Sequence, residues 1–514
     1  MPLDLVTDVL VIGGGPAASW AAIEAARTGV RVTLVDKGYL GTSGAAAPTG
    51  LGTWWAPTKD GRRATAERRV ARSFGVADVP WAVHTLDEAH NGLTQLAAWG
   101  YPFPTDDAGE RYIPNLRTAD YMHFMRRRVR AAGVRVYDHH PALELIVADG
   151  VVSGASGIAR QNDETWQIRA AAIVLATGGC VFGERVHGAA GLTGDGYLMA
   201  VEAGATLSGM EFSAQYGIVP FQTASNKGLI YSWATFSRED GTPIDDNGED
   251  RQVLVARALS DGPVYARFDN VPAALQNDLR VGQPNILLPF DRAGINPFEE
   301  RFPVMLRCEG TVRGVGGIRL DGDSCATGVP GLFAAGDAAS RERLTGAISG
   351  GGGPNSAWAI ASGVWAGRSA GAFARYVGRH HETRVAQPAG RTRLDPAAVG
   401  VVKAEMLPLD RNFFRTGRTL VRSLANLGDA WANLRSAGGL AGVAALRSRE
   451  AAAMTATARW SYAAALHRTE SRGMHRRLDA PAMDPAFARP VGISGLDAMR
   501  IVRDEAPLAE ALAS

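Results

Sequence analysis

The sequence predicts an α/β fold: a parallel-stranded nucleotide-binding core, an inserted α+β cap and a helical C-terminal segment. Three observations predict it. Residues 8–37, DVLVIGGGPAASWAAIEAARTGVRVTLVDK, run from an apolar strand through glycines into a small-residue helix and back to an apolar strand. Further short β-rich runs follow in VRVYDHH, ALELIVADG, VVSGASGIAR and AAIVLATGG. From about Leu394 the chain turns to Ala, Leu and Arg at helical spacing.

Each part has its own reason. At 514 residues, with 46% apolar and 21% charged residues, the chain is a globular protein of two or three domains. Residues 1–225 and 310–393 are expected to form the nucleotide-binding domain. The stretch 226–309 is more polar, richer in Asp and Pro and weakly periodic, and reads as the cap over a substrate. Strand signals resume at Gly316–Leu320 and Gly331–Asp337, and a helix is expected from Pro354. Residues 394–514 form the helical segment. No internal repeat is present.

Composition excludes several classes. A net charge of +2 supplies no general field for nucleic acid. Cys180, Cys308 and Cys325 are scattered without a CxxC pair, so no iron–sulfur or structural zinc site is expected, and few cysteines suit a reducing compartment. The start, MPLDLVTDVLVIGGG, has neither a basic leader nor a cleavage site, and no uncharged run is long enough to span a bilayer. The expectation is a soluble, cytoplasmic protein.

Gly13, Gly15 and Ala18 fit GxGxxG/A between strand and helix, the Rossmann-like arrangement. The first glycine permits the turn, the second admits a pyrophosphate, and the small third residue lets helix and strand approach. The anion then sits at the helix N-terminus, beside Pro16 and Ala17. Asp36 closes the next strand about 20 residues on, where an acid accepts hydrogen bonds from a ribose diol. An ordinary βαβ turn is the competing explanation. GLFAAGDAA (331–339) ends a second small-residue strand at Gly336 and Asp337. GGGGPNSAWAIASG (350–363) then places Asn355 and Ser356 at a helix start, aimed at a cofactor or serving only as caps.

With these residues in place, the chain resembles the succinate dehydrogenase/fumarate reductase flavoprotein superfamily, the FAD-dependent oxidoreductase 2 family. That family includes L-aspartate oxidase, 3-ketosteroid dehydrogenases and adenylylsulfate reductase α subunits. Four further stretches carry the likeness: ATGGC (176–180), GLTGDGYLMAVEAGATLSGMEF (191–212), GGIRLD…TGVPGLFAAGDAA (316–339) and HRTESRGMHRRLDAP (467–481). They span nearly the whole chain in the family's order. The resemblance implies an FAD held by Gly13, Gly15, Pro16, Ala17, Asp36 and Lys37. It adds Thr42, Ser43, Gly44 and Gly50 from the following loop, then Ala142, Ala176, Thr177 and Gly178. Thr193, Gly194, Asp195, Gly336, Asp337, Asn355 and Ser356 complete the set. Several relatives attach FAD covalently to a histidine, but Gly44 stands at that place, so the FAD is expected to be non-covalent.

The resemblance also implies a substrate site, with changes. In SREDGTPIDDNGED (237–250), Arg238 stands for the cap arginine, and a carboxylate clamp suits it better than acid catalysis because guanidinium stays charged. A solvated surface arginine is the alternative. Tyr216 falls near a family histidine in MEFSAQYGIVP, and Val312 with Arg313 near another in CEGTVRGVGGI. Tyr216 is also readable as a core or pocket-wall tyrosine. The arginine that grips a substrate carboxylate is replaced by Gly350–Gly353, with Arg341 and Arg343 nearby as substitutes or as surface residues. His187 is a candidate base or a loop histidine bonded to backbone. Trp54, Trp55, Trp233 and Phe236 suggest a larger or flatter substrate, and Glu470 and Arg472 a structural lock.

The expectation is therefore an FAD-dependent enzyme that moves two electrons to or from a small organic molecule, not succinate, fumarate or aspartate. Oxygen, a quinone or a ferredoxin-like partner takes the electrons. Two alternatives stand beside it: a catalytic subunit working with a separate iron–sulfur protein, and a non-catalytic FAD-binding interaction protein. A homo-oligomer is allowed, and no metal is expected.

Overall fold

The computed structural model describes residues 3–105, 109–225, 228–245, 248–282, 284–378, 396–435 and 441–502. The expected cap boundary at Asn226 and the expected start of the helical segment at Leu394 lie outside the described residues.

A seven-stranded sheet forms the base. Leu3–Ile12 lies at its centre and pairs in parallel with Val32–Val35 on one side and Thr165–Leu175 on the other; Ile12 sits opposite both Val35 and Leu175. Arg135–Tyr137 extends the sheet in parallel beyond Val32–Val35. On the other flank Val151–Ile158 and Ala142–Ala148 add an antiparallel meander. Leu332–Ala334 pairs in parallel with the end of Thr165–Leu175, at Ile173–Leu175. The carboxyl ends of Leu3–Ile12, Thr165–Leu175 and Leu332–Ala334 therefore open on one crevice, where ligands bind in wound α/β sheets.

Two helices cover this sheet. Pro16–Arg27 follows the glycine turn, and Gly353–Val377 returns beside it. Small residues let them touch. A Cβ at Gly363 would meet the Ala17 carbonyl at 2.6 Å, one at Gly367 the Ala21 backbone, and one at Gly371 the Thr28 side chain. The order of these contacts makes the helices parallel, so both N-termini face the same crevice.

The cap is an antiparallel four-stranded sheet in the order Tyr216–Pro220, Phe302–Cys308, Val264–Arg267, Thr235–Arg238. Helices Arg251–Asp261, Ala273–Gly282 and Leu288–Ala293 accompany it. The sheet begins at Tyr216, ten residues before the expected boundary, because Tyr216 pairs opposite Cys308. The two strands that enter and leave the cap thus zip together.

Three helices, Pro396–Met406, Gly417–Arg435 and Gly442–His467, build the C-terminal part. It also supplies strands Gly492–Ser494 and Arg500–Val502, which sequence patterning missed. They join Leu207–Ser208 and Gly317–Ile318 in a separate small sheet, so the Gly316–Leu320 signal belongs to that sheet and not to the base. The ESRG segment is a buried ion network. Arg468 donates to Glu211 Oε1 at 2.8 and 3.0 Å and to Glu470 Oε1 at 2.7 Å, and Arg472 donates to Glu470 at 2.6 and 2.9 Å. No helix among the described residues is long and apolar enough to cross a membrane.

Candidate functional site

The crevice is a cavity of about 1730 Å³, running from the glycine turn to the cap. At its first end Gly13 has φ +129°, and a Cβ there would strike the Ala176 carbonyl. Only glycine fits a positive φ against another backbone. A Cβ at Gly14 would fall on the Asp36 carboxylate. Gly15 lies against Gly44: a Cβ at Gly44 would come within 3.1 Å of the Gly15 Cα. Asp36 is buried and accepts from the Ser43 hydroxyl. Burial pushes its carboxyl up, and the Ser43 bond opposes this.

Lys37 is drawn into a charge cluster. Its Nζ donates to Asp195 at 2.8 Å, Glu450 at 2.9 Å and Thr193 at 3.0 Å. Burial alone would lower its pKa, but the two carboxylates outweigh burial and hold it above the ordinary lysine value. Thr193 is behind Asp195 and not on the cavity wall: its hydroxyl donates to Asp195 Oδ1 at 2.7 Å.

The long helix supplies the far end. Its N-cap is Gly352, at φ +74°, and no side chain caps it; the N-cap of Pro16–Arg27, Gly15, is also bare. Capping is thus not what Asn355 and Ser356 do. Ser356 Oγ meets Thr53 Oγ1 at 2.8 Å, and Asn355 Nδ2 donates to the Val312 carbonyl at 3.2 Å. Two uncapped helix N-termini on one cavity are a strong anion-favouring pair. Among the described residues, Thr177 Oγ1 and Asn355 Oδ1 are buried on the cavity wall without a hydrogen-bond partner. Both call for a ligand atom.

Asp337 is pushed up by burial and drawn back by Arg341, which donates to it at 2.7 Å. The other Arg341 nitrogens donate to the carbonyls of Thr311, Val312 and Gly314. Arg341 is off the cavity wall, so it does not replace the missing clamp. Arg343 is exposed and paired with Asp78. Arg313 does reach the cavity. It pairs with Glu309 at 3.3 Å, and a Cβ at Gly351 would lie 3.0 Å from its Cδ. The glycine run makes room for two arginines from elsewhere.

Two residues expected at the reacting centre lie outside it. Arg238 is 46% exposed, pairs with Asp261 at 3.3 Å and does not line the cavity. It ends a cap edge strand, where its side chain meets water. Tyr216 is wholly buried, and its hydroxyl donates towards the carbonyls of Met406 and Leu407, under the C-terminal helices. Burial raises its pKa well above the ordinary phenol value. His187 is on the wall, exposed, with Nε2 3.3 Å from the Pro48 carbonyl. Gly50, Gly178 and Gly336, with Pro16, Ala17, Thr42, Ala142 and Ala176, line the cavity, whereas Gly194, like Thr193, does not. Of the four aromatic residues expected near the substrate, only Trp233 does.

Patterning missed part of the wall. Leu275 and Leu279 come from a cap helix, Ile286 from the short 3₁₀ turn Pro284–Ile286, and Glu309 sits one residue past a cap strand. Arg111 and Arg117 line the cavity from a turn-rich loop and are exposed. Helical spacing of Leu275 and Leu279 signals a buried face but not what it faces.

Comparison with known proteins agrees with this geometry. A family model described as FAD binding domain matches residues 8–354, and one described as Fumarate reductase flavoprotein C-term matches residues 410–491. An L-aspartate oxidase of Mycobacterium leprae is 28% identical, over 97% of this chain and 97% of the relative. One subunit of a fumarate reductase (CoM/CoB) from Methanothermobacter marburgensis is 25% identical, over 94% and 96%. Among solved structures, the FrdA of an Escherichia coli quinol fumarate reductase is 23% identical, over 97% of this chain and 96% of that one, with a TM-score of 0.79.

Proposed function

The chain belongs to the FAD-dependent oxidoreductase 2 family of succinate dehydrogenase/fumarate reductase flavoproteins and their relatives, and on that premise we propose that it binds FAD non-covalently and oxidises or reduces a small organic substrate other than a dicarboxylate. The observation that carries the reading is the single cavity joining the Gly13–Ala17 turn, two bare helix N-termini and an apolar cap wall.

The residues fit the cofactor. The N–H groups of Gly15 and Ala17 would bind the pyrophosphate, and Asp36 would take a ribose diol. Asp337 and Thr177 meet the linker hydroxyls, and the start of Gly353–Val377 stabilises negative charge at the ring. Bound FAD supplies hydride transfer at its N5 atom. Gly44, pressed against Gly15, leaves no room for an attaching histidine. Acid precipitation is expected to release all the FAD into the supernatant; flavin retained in the pellet would overturn non-covalent binding.

The substrate reading rests on charge. A desolvated dicarboxylate needs charged donors at both ends. Arg341 is spent on carbonyls and Arg238 faces solvent, which leaves Arg313, paired with Glu309, as the donor beside the glycine run, while Arg111 and Arg117 line the wall only from an exposed loop. Leu275, Leu279, Ile286 and Trp233 line the cap side, which favours an apolar body. Arg313 binds the polar group that the substrate does carry, and the cap excludes water. The relatives named for L-aspartate and fumarate make a dicarboxylate the competing substrate.

Anaerobic mixing with succinate, L-aspartate, ketosteroids and aromatic N-heterocycles decides between them, read as flavin bleaching. Rapid bleaching by either dicarboxylate would overturn the reading. Arg313→Gln should keep its flavin and slow substrate-driven bleaching roughly 10–100-fold, the value of one charge-assisted hydrogen bond. Relatives named as subunits support a second reading, a complex with an iron–sulfur or ferredoxin-like protein, which co-purification tests.

A further inference from the structure

A column of aromatic rings runs from just behind the cavity wall to the surface, and neither the cofactor cradle nor the substrate wall uses it. Trp358 lies between Ser356 and Ala359, which line the cavity. It is wholly buried, and its Nε1–H donates to the carbonyl of Gly336, another wall residue, at 2.9 Å. Its ring centroid is 6.2 Å from both Trp81 and Trp365. Trp81 and Trp365 are 5.4 Å apart. Trp365 stacks on His84 at 4.4 Å with the planes 8° apart, and the His84 side chain is 45% exposed. The Trp365 Nε1–H donates to Glu88 at 3.1 Å, and Arg368 holds that carboxylate at 3.2 Å. The Arg343 guanidinium covers Trp81 at 4.2 Å.

We propose that this column, given the FAD reading above, is a relay that carries single electrons between the flavin end of the cavity and the surface at His84. Electron transfer falls steeply with distance, and indole is among the most easily oxidised side chains. Rings with centroids 4.4–6.2 Å apart therefore make a faster path than the aliphatic core around them. The oxidant that exposes the relay is photo-excited oxidised flavin. Trp358 gives it one electron and becomes a cation radical. Trp81 or Trp365 refills Trp358, so the hole moves outward. Trp365 then loses its indole proton to Glu88 and stands as a neutral radical. A thiol in solution returns one electron and Glu88 returns the proton to Trp365, the thiol's own proton going to water, and two of the resulting thiyl radicals join as a disulfide. The flavin keeps the electron, so each turn reduces the site by one equivalent at the thiol's expense. Dense aromatic packing alone would also bury three indoles, but it does not call for a carboxylate on the Trp365 nitrogen or a stacked ring open to water.

The test is anaerobic illumination of the FAD-loaded protein with a thiol, following flavin bleaching, flavin fluorescence lifetime and the transient absorbance of tryptophan radicals. Trp365→Phe should keep flavin content, circular dichroism and dark substrate reduction, yet lose the long-lived tryptophan radical and photoreduce about tenfold more slowly. Trp358→Phe should also lengthen the fluorescence lifetime. If both variants retain FAD and photoreduce like the parent, the relay is wrong. A parent that binds no FAD overturns the cofactor reading and the relay together.

Discussion

Lys37 shows how a single charge couples distant segments. It lies two residues past the second strand, yet its ammonium joins Asp195 at a helix start to Glu450 on the C-terminal helix. Lys37→Met would leave two carboxylates facing each other in a half-buried site. A loss of about 2–3 kcal/mol is expected, seen as a lower urea midpoint. The pH dependence has a definite sign. A pKa raised on folding stabilises fully below the ordinary lysine value and is lost only as pH rises past it towards the folded value. The parent–variant gap should therefore be flat through neutral pH and close only in strong alkali. A gap that closes near neutrality would show that Lys37 is not held by these carboxylates. The arginines teach the same lesson of destination: Arg341 and Arg313 stand 28 residues apart, and only Arg313 reaches the cavity.

The two parallel helices are the elements on which the site depends. Their contact is a column of glycines four residues apart, Gly363, Gly367 and Gly371. A methyl group at Gly367 would lie 2.8 Å from the Ala21 Cα. Gly367→Ala forces the helices apart, at a cost of about 1–3 kcal/mol. It also separates the two N-termini that face the cavity, so flavin content should fall with the melting temperature. Gly428, in the C-terminal helix Gly417–Arg435, is the contrast, because a Cβ there meets nothing within 4 Å. Gly428→Ala should stabilise by about 0.5–1 kcal/mol through helix propensity alone. If both substitutions shift the melting temperature alike, the close helix contact is not what Gly367 serves.

At the scale of the molecule, the ESRG segment fastens the C-terminal part to the nucleotide-binding core. Glu470 receives Arg468, Arg472 and the Asp484 N–H, and Arg468 reaches Glu211 beside the core. Burial alone would raise the Glu470 pKa; the Arg472, Asp484 and Arg468 bonds outweigh it and hold it below the ordinary glutamate value. A depressed carboxylate stabilises above the ordinary value and is lost as pH falls through the folded one. Glu470→Gln leaves two buried guanidiniums short of charge, a cost of about 3 kcal/mol at neutral pH. Below about pH 4 the parent loses the same contribution, so urea midpoints of parent and variant should converge. Midpoints that stay equally apart from neutral pH to acid would place the effect elsewhere.

Much of this was legible without coordinates, and the division has a physical cause. The glycine turn, Asp36, Asp337 and the helix start at Pro354 are local backbone devices, set by residues a few positions apart, and they line the cavity as expected. The expectations that moved were side chains whose destination depends on long-range pairing. Tyr216 looked like a site residue until its strand paired opposite Cys308 and turned the ring under Met406. Arg238 has the right chemistry on a cap edge strand but points to water. Arg313 gained its place only because a glycine run 38 residues on leaves space for it. Sequence by itself determined the family and the glycine turn with its following acid, because short-range sterics and residue chemistry suffice for those. Tertiary structure alone decided which arginine meets the cavity and which leucines wall it, because a strand's face and a helix's neighbour are set by contacts between segments hundreds of residues apart.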